Sequence, residues 1–387
     1  MNRFLQLGLL LNGALTLGNC VDRYTPDVPA AAQRNLVVDG FINPQGSTVI
    51  KLARTFSVNT KNVGPVEARA RVSIQDDAGQ RFTLTENPAG TYTSAALTLD
   101  PSRQYQLLIA TAQGREYASD KQPVVRTPPI DTLTWTLTPV QGIQVYLSTH
   151  GANTAGRYYR WEYDETYQFV SAFESAIEYD PLRNFVKSRG LSIHRCWRTE
   201  PSTAILQGNS AQLNQNALAD FPLLSVLPSL KLRFGYSVLV RQIAQTQAEY
   251  NYWERLRKST ENLGTVNDPL PGRITGNVHA LADTTEAVLG YVGVHAVTQK
   301  RLFINTTTQL PKPQPASVFF DPVYASCLQT ESYNFPRGLP EIKAGVLIPL
   351  SLIINVRTGD TTGMVVSTPA CADCRLRGTN IKPSYWP

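Results

Sequence analysis

The stretch EARARVSIQDDAGQRFTLTENPAGTYTS, running from Glu67 to Ser94, decides the fold. It holds three short segments rich in Val, Ile, Thr or aromatic residues: Glu67 to Gln75, Arg81 to Thr85 and Gly90 to Ser94. The turn clusters Asp76-Asp77-Ala78-Gly79 and Asn87-Pro88 separate them. Branched and aromatic side chains suit a half-buried pleated surface, and Asp, Asn, Gly and Pro suit tight turns, so the segments read as strands. The pattern extends outward through Leu36 to Phe41 and Thr48 to Leu52 on one side, and Gln104 to Ala112 and Glu116 to Lys121 on the other. Regular short strands of this kind predict an Ig-like β-sandwich over residues 35–127.

Pro128 and Pro129 stiffen the chain and interrupt strand pairing, which places a domain boundary at Arg126 to Ile130. Strands resume at Thr132 to Thr138 and Ile143 to Thr149. Between Tyr159 and Tyr167 the residues alternate, placing Tyr159, Trp161, Tyr163, Glu165 and Tyr167 on one face and Arg160, Glu162 and Asp164 on the other. That aromatic stripe reads as sheet core rather than as a ligand platform. Residues 170–230 are less regular and read as an insertion with long loops, followed by a strand at Lys231 to Gln242.

Residues 245–263 break the β pattern. Tyr250, Trp253, Leu256 and Thr260 recur at helical spacing, Glu254 precedes Lys258 by four, and Gly264 follows as a stop, so one amphipathic helix is expected. The turn-rich segment Asn267 to Arg273 leads to strands at Ile274 to Leu281 and Ala287 to Thr298. Beyond Lys300, Pro311, Pro313 and Pro315 introduce long loops of the kind that cover a surface or carry recognition. The expected fold is mainly β: an N-terminal Ig-like β-sandwich, then a second, larger sandwich-like domain over residues 131–387 with one helix and long C-terminal loops.

The first twenty residues give an address. Arg3 precedes an apolar run from Phe4 to Leu17 that is too diluted for a permanent membrane span and reads as a signal peptide, residues 1–19. Cys20 then stands where a lipoprotein signal is cleaved and acylated; Leu17 and Gly18 fit that pattern and Asn19 departs from it. Residues 20–34, with Pro26, Pro29 and a short Ala run, read as a lipidated tether. With Cys20 assigned to lipid, Cys196, Cys327, Cys371 and Cys374 form an even set of candidate disulfide cysteines. A bridge from Cys327 to the Cys371/Cys374 pair closes a loop of about forty-five residues, worth roughly 4 kcal/mol by chain entropy. His194 and Cys196 with that pair have the ligand types of a zinc site, yet their distance in sequence and the oxidising compartment favour disulfides. No metal or other cofactor is expected.

Composition excludes other classes. The net charge of +6 over 387 residues is spread thinly, the longest basic cluster being Arg255, Arg257 and Lys258, so no nucleic-acid footprint is present. Among four histidines there is no H-E-x-x-H, and the chain lacks a G-x-S-x-G elbow, a P-loop and a dinucleotide fingerprint. Glu162, Asp164 and Glu165 are the carboxylates best placed for glycoside hydrolysis, but neighbours on a strand point to opposite faces. They read instead as a surface network with nearby arginines, as do Arg198 and Glu200. No catalytic residue is assigned, and the chain is expected not to be an enzyme.

Several segments, in order, carry a family resemblance. They are Cys20 with Asp22 to Pro26, Leu36 to Gly40, Cys196 with Arg198 to Ser202, Tyr252-Trp253 with Asp268 to Asn277, Leu289-Gly290-Tyr291, and Cys371 to Arg375 with Lys382 to Trp386. Together they resemble the DUF4249 family of Bacteroidetes outer-membrane lipoproteins over essentially the whole mature chain. The resemblance implies an outer-membrane location, anchorage to membrane lipid through Cys20, and a neighbouring TonB-dependent transporter of the SusC-like type as partner. It supplies no catalytic residues and no ligand. The expected function is a non-catalytic accessory or ligand-capture lipoprotein; the other reading is a cell-surface adhesion or envelope scaffolding protein.

Overall fold

The computed structural model describes residues 34–56, 64–140, 142–152, 156–261, 274–310 and 321–387. The expected signal peptide, Cys20, the tether up to residue 33, the turn segment 267–273 and the prolines at 311, 313 and 315 lie outside the described residues.

The first sandwich is built from β1 (Leu36–Phe41), β2 (Gln45–Arg54), β3 (Arg71–Asp76), β4 (Arg81–Glu86), β5 (Thr91–Thr98), β6 (Gln104–Ala110), β7 (Glu116–Ser119) and β8 (Gln122–Pro123). One layer runs β7-β6-β3-β4 and the other β5-β2-β1. β4 joins them: Arg81 to Leu84 pair with β3, while Thr85 and Glu86 pair with β5. Alternation aims Val72, Ile74, Leu107 and Ile109 from one layer at Leu36, Ile50, Leu52 and Tyr92 from the other, all buried. Each such side chain removed from water contributes roughly 1.5–3 kcal/mol. In the β3–β4 turn, Asp76 Oδ1 accepts from the backbone N–H groups of Ala78 (3.0 Å) and Gln80 (2.8 Å). Gly79 supplies the positive φ of 91° that this turn needs.

The second sandwich begins with β9 (Ile130–Leu137), β10 (Ile143–His150) and β11 (Tyr158–Val170). It continues through β14 (Arg195–Pro201), β15 (Leu206–Asn209), β16 (Ala217–Val226) and β17 (Tyr236–Gln245), while β12 (Ile177–Asp180) and β13 (Phe185–Ser188) form a separate two-stranded sheet whose Tyr179 packs on the C-terminal cluster of Ile342, Met364 and Val366. The sheet β16-β10-β9 faces β14-β11-β17, with β15 pairing the first residues of β11. The expected insertion at 170–230 therefore shrinks to the stretch that carries β12 and β13: β14 and β15 pair with β11, β16 forms a full ladder with β10, and Leu223, Leu224 and Val226 are core residues. Register shifts at Val145/Tyr146 and Leu147/Thr149 and a positive φ at Asp220 break the alternation that would have marked β16. Tyr159, Trp161 and Tyr167 are buried in this core. Trp161 Nε1 donates to Gln242 Oε1 (2.9 Å), and Gln242 Nε2 donates to the carbonyl of Pro128 (2.9 Å), tying the boundary prolines to the sheet.

Helix α1 (Gln247–Glu261) follows β17 directly. Thr246 Oγ1 accepts from the Glu249 N–H (3.2 Å), a Thr-x-x-Glu start that marks the first turn in sequence as well. The helix bridges the two sandwiches: Tyr250 packs on Tyr158 of β11 (5.1 Å between centroids) and Tyr252 on Tyr291 (5.4 Å). Its most buried residues are Tyr252 and Glu249, so the embedded face is rotated from the expected Tyr250/Trp253 stripe.

Beyond the helix, β18 (Val278–Ala280) pairs with β7 and β19 (Val288–Leu289) pairs in parallel with β1. The second unit is thus not the continuous span 131–387. Val278, Ala280, Val288, Val292 and Val294 belong to the core of the first sandwich, whose open edges they cover. Two glycines permit the return: a Cβ on Gly290 (φ +123°) would stand 2.0 Å from the Val38 carbonyl oxygen, and one on Gly276 would stand 1.5 Å from that of Gly290. Asn277 clips the turn, donating to the Val292 carbonyl (3.0 Å) and accepting from its N–H (2.8 Å). β20 (Val297–Ile304) then crosses back to pair with β17.

The C-terminal stretch carries more than loops. β21 (Glu331–Asn334), β22 (Ile348–Ile354) and β23 (Thr361–Ser367) form a sheet in the order β21-β23-β22, packed around Ile342, Met364 and Val366. Disulfides Cys196–Cys374 and Cys327–Cys371 fasten this part to β14 and to itself. The chain end straps across the second sandwich: Thr379 exchanges backbone hydrogen bonds with Trp197, and Trp386 packs edge-on against Phe303 (4.9 Å).

Candidate functional site

The expected catalytic-type carboxylates are committed elsewhere. Asp164 takes both Arg241 terminal nitrogens (2.7 and 2.8 Å), and these hydrogen bonds hold its carboxyl below the usual range. Glu165 and Glu200, directly opposite on β11 and β14, share Lys231 at 2.7 and 3.0 Å. Glu165 also accepts from the Tyr236 hydroxyl (2.9 Å) and Glu200 from that of Tyr167 (2.9 Å). Burial pushes Glu200 up, but hydrogen bonds from Lys231 and Tyr167 outweigh it and leave the pKa lowered. Arg198 bonds Glu200 at 2.9 Å. Glu162, the more exposed of the expected carboxylates, bonds Arg160 (2.7 Å), so each of these groups stands in an ion pair on the sheet surface.

A cleft of about 570 Å³ opens where the disulfide-tied C-terminus meets the second sandwich. The end of β11 supplies Phe169 to Ala172, the start of β14 supplies His194 and Arg195, and the short turn before β17 supplies Leu230, Arg233 and Phe234. Asp321, Tyr324 and Cys327 close it. The Cys327–Cys371 bond holds this last wall, and Cys196–Cys374 holds β14 against it.

The side chains of the cleft are fixed by their neighbours. Asp321 bonds Arg377 (2.6 Å), whose guanidinium lies 3.8 Å from the Tyr324 ring centroid. The Arg233 guanidinium lies over Phe234 (4.7 Å). Arg195 and Arg233 are exposed and, among the described residues, have no carboxylate partner. His194 Nδ1 lies 2.9 Å from Ser171 Oγ, which itself donates to the Phe173 carbonyl (2.8 Å). Which of Ser171 Oγ and His194 Nδ1 donates depends on the imidazole tautomer. Burial pushes the His194 pKa down, Arg195 and Arg233 add to that, and Glu174 and the Phe173 backbone oppose it. Ser171 is buried in the cleft wall, 2% exposed. The cleft can bind, through two guanidiniums and an aromatic lining.

Cys196, Cys327, Cys371 and Cys374 are all disulfide-bonded. His194, a zinc-type candidate in sequence, is instead a partner of Ser171 at the cleft wall. Among the described residues no group of three or more His, Cys, Asp or Glu is placed to hold a metal ion. Arg195, Arg233, Asp321 and Tyr324 carried no sequence signal; only Arg195, beside Cys196, lay next to a residue already singled out.

Fold and cleft define a mainly β protein of two sandwiches with a disulfide-framed C-terminal cavity. The chain belongs to the DUF4249 family, a domain of unknown function, whose family model matches residues 21–301. No curated protein matches it. Among solved structures it is similar to a two-domain fibronectin type III segment of chicken tenascin (10% identity, 54% of this chain and 90% of that one, TM-score 0.17). It is also similar to the FN1–FN3 domains of chicken CNTN1 (13% identity, 55% of this chain and 62% of that one, TM-score 0.19).

Proposed function

We propose that the protein is an exported, non-catalytic lipoprotein of the outer membrane that captures a ligand in the C-terminal cleft as an accessory of a SusC-like TonB-dependent transporter. The observation that carries the reading is the cysteine pairing. Four of the five cysteines are consumed in two disulfides that frame the cleft, which favours an oxidising compartment and leaves Cys20 as the thiol available for lipid. Acyl chains contribute about 0.8 kcal/mol per buried methylene, and two or more make anchoring stable. Confinement to the membrane raises the effective concentration of the transporter. The ion-paired carboxylates and the burial of Ser171 favour a binding rather than a hydrolytic role.

Affinity purification of the tagged chain from native membranes tests the partner: the transporter should co-purify, and repeated recovery of the lipoprotein alone overturns that part. Turnover of a glycan or peptide panel that is lost on substitution of Glu165 or Glu200 would overturn the non-catalytic reading.

A further inference from the structure

We propose that the cleft selects small, soluble molecules that carry an oxyanion on a ring, of which a uronic acid is the model. The inference rests on the cleft being the capture site and adds the class of its ligand. Two guanidiniums, Arg195 and Arg233, line one cavity without a carboxylate partner among the described residues. The one carboxylate lining it, Asp321, is already neutralised by Arg377 at 2.6 Å. The cavity therefore presents a net positive charge that Glu174, beside His194, offsets only in part, with planar donors that match a carboxylate, sulfate or phosphate. Arg233 is held over Phe234, so part of its ordering cost is met before a ligand arrives. Phe169, Phe234 and Tyr324 add apolar surface, and a volume of about 570 Å³ is in the range of small-ligand sites.

His194 makes the preference pH-dependent. The charged groups that act on it are Arg195, Arg233 and Glu174, with Asp321 and Arg377 paired across the cavity. A bound anion would offset the two arginines and favour imidazolium, so anion affinity should rise as pH falls. Linkage then requires proton uptake on binding.

Ligand-observed NMR on the full mature chain tests this with D-glucuronate against D-glucose, a neutral counterpart of the same ring. Glucuronate should bind about ten-fold tighter, the strength of one charge-assisted contact. The advantage should vanish in Arg195→Gln/Arg233→Gln and persist in Arg357→Gln, which removes an exposed charge on the β22–β23 turn. Both arginines of the double variant are exposed, and intact disulfides with an unchanged far-UV spectrum verify its fold. A preference for glucose, or one for glucuronate that survives the double variant, overturns the ligand class. Binding only to phosphatidylglycerol-containing vesicles also overturns it, since the oxyanion is then a lipid headgroup. If the transporter co-purifies and the anion titration fails, only the ligand class falls. If sugars of neither kind bind and the transporter is also absent, the capture reading falls with it.

Discussion

Replacing Glu249 by Gln should change the shape of the pH–stability profile in a way that can be worked from the junction between the sandwiches. Glu249 is 2% exposed, accepts from Gln245 Nε2 (3.1 Å), and lies against Gly293, where a Cβ would stand 2.4 Å from its Oε2. Burial pushes its carboxyl from 4.5 up to about 7, against the pull of Arg160. Between those values the folded chain keeps a proton that the unfolded chain has lost, so this group's contribution falls as pH rises from about 4.5 to about 7. The difference, 7 − 4.5 = 2.5 pH units, amounts to about 3 kcal/mol.

His295 runs the opposite way. It is fully buried, its ring nitrogens have no hydrogen-bond partner among the described residues, and burial pushes its pKa from 6.5 down to about 3. The unfolded chain binds a proton there that the folded chain refuses, so stability falls as pH drops from about 6.5 to about 3. Its Nδ1 lies 3.7 Å from Glu249 Oε2, but between about pH 3 and 7 both groups are neutral, so the contact is not an ion pair in that range. In the wild type the two slopes cancel between about pH 4.5 and 6.5. Glu249→Gln keeps the acceptor for Gln245 and removes the ionisation. Urea unfolding followed by tryptophan fluorescence from pH 4 to pH 8 should show the variant gaining about 3 kcal/mol relative to wild type over that range. Parallel profiles for the two proteins would refute the reasoning.

Three further outcomes follow from geometry and loop length. Cys196→Ser/Cys374→Ser opens a span of 178 residues and Cys327→Ser/Cys371→Ser one of 44, so chain entropy predicts losses of about 5 and about 4 kcal/mol. Chemical unfolding of each double variant should rank them in that order, and limited proteolysis should cut residues 375–387 faster in the first. Gly290→Ala forces a Cβ to 2.0 Å from the Val38 oxygen at φ +123° and should cost at least about 2 kcal/mol. Gly114→Ala, with positive φ but open space, should cost about half that, and equal thermal shifts would count against close approach as the cause. Cys20→Ser should move the protein from the membrane fraction to the soluble periplasmic or secreted fraction, and mass spectrometry of the wild-type N-terminus should show an acylated Cys20.

Local alternation and turn chemistry made the first sandwich legible. Ile74, Leu107 and Tyr92 sit where period two puts them, and Asp76 and Gly79 close the turn their types suit. Period and composition act between near neighbours, so a strand announces itself; its partner across the sheet does not. Ile274 to Leu281 and Ala287 to Thr298 read as strands, yet only long-range packing sent parts of them back to β7 and β1, and only the collision at Gly290 shows why that glycine is needed. β16 was hidden because bulges and the positive φ of Asp220 break its alternation.

The cysteines divide the same way. Their number and spacing in the chain determined an even set beside Cys20, whereas the pairing of Cys196 with Cys374 depended on β14 lying beside the chain end. The candidate cleft is the extreme case. Arg195, Arg233 and Tyr324 come from three separate segments with no periodicity between them, so their meeting is a property of the folded surface alone. The sequence by itself determined strands, turns and an expected address at Cys20. Tertiary structure decided which edges pair, which charges stay unpartnered and where a ligand can be held, because those depend on contacts between residues far apart in the chain.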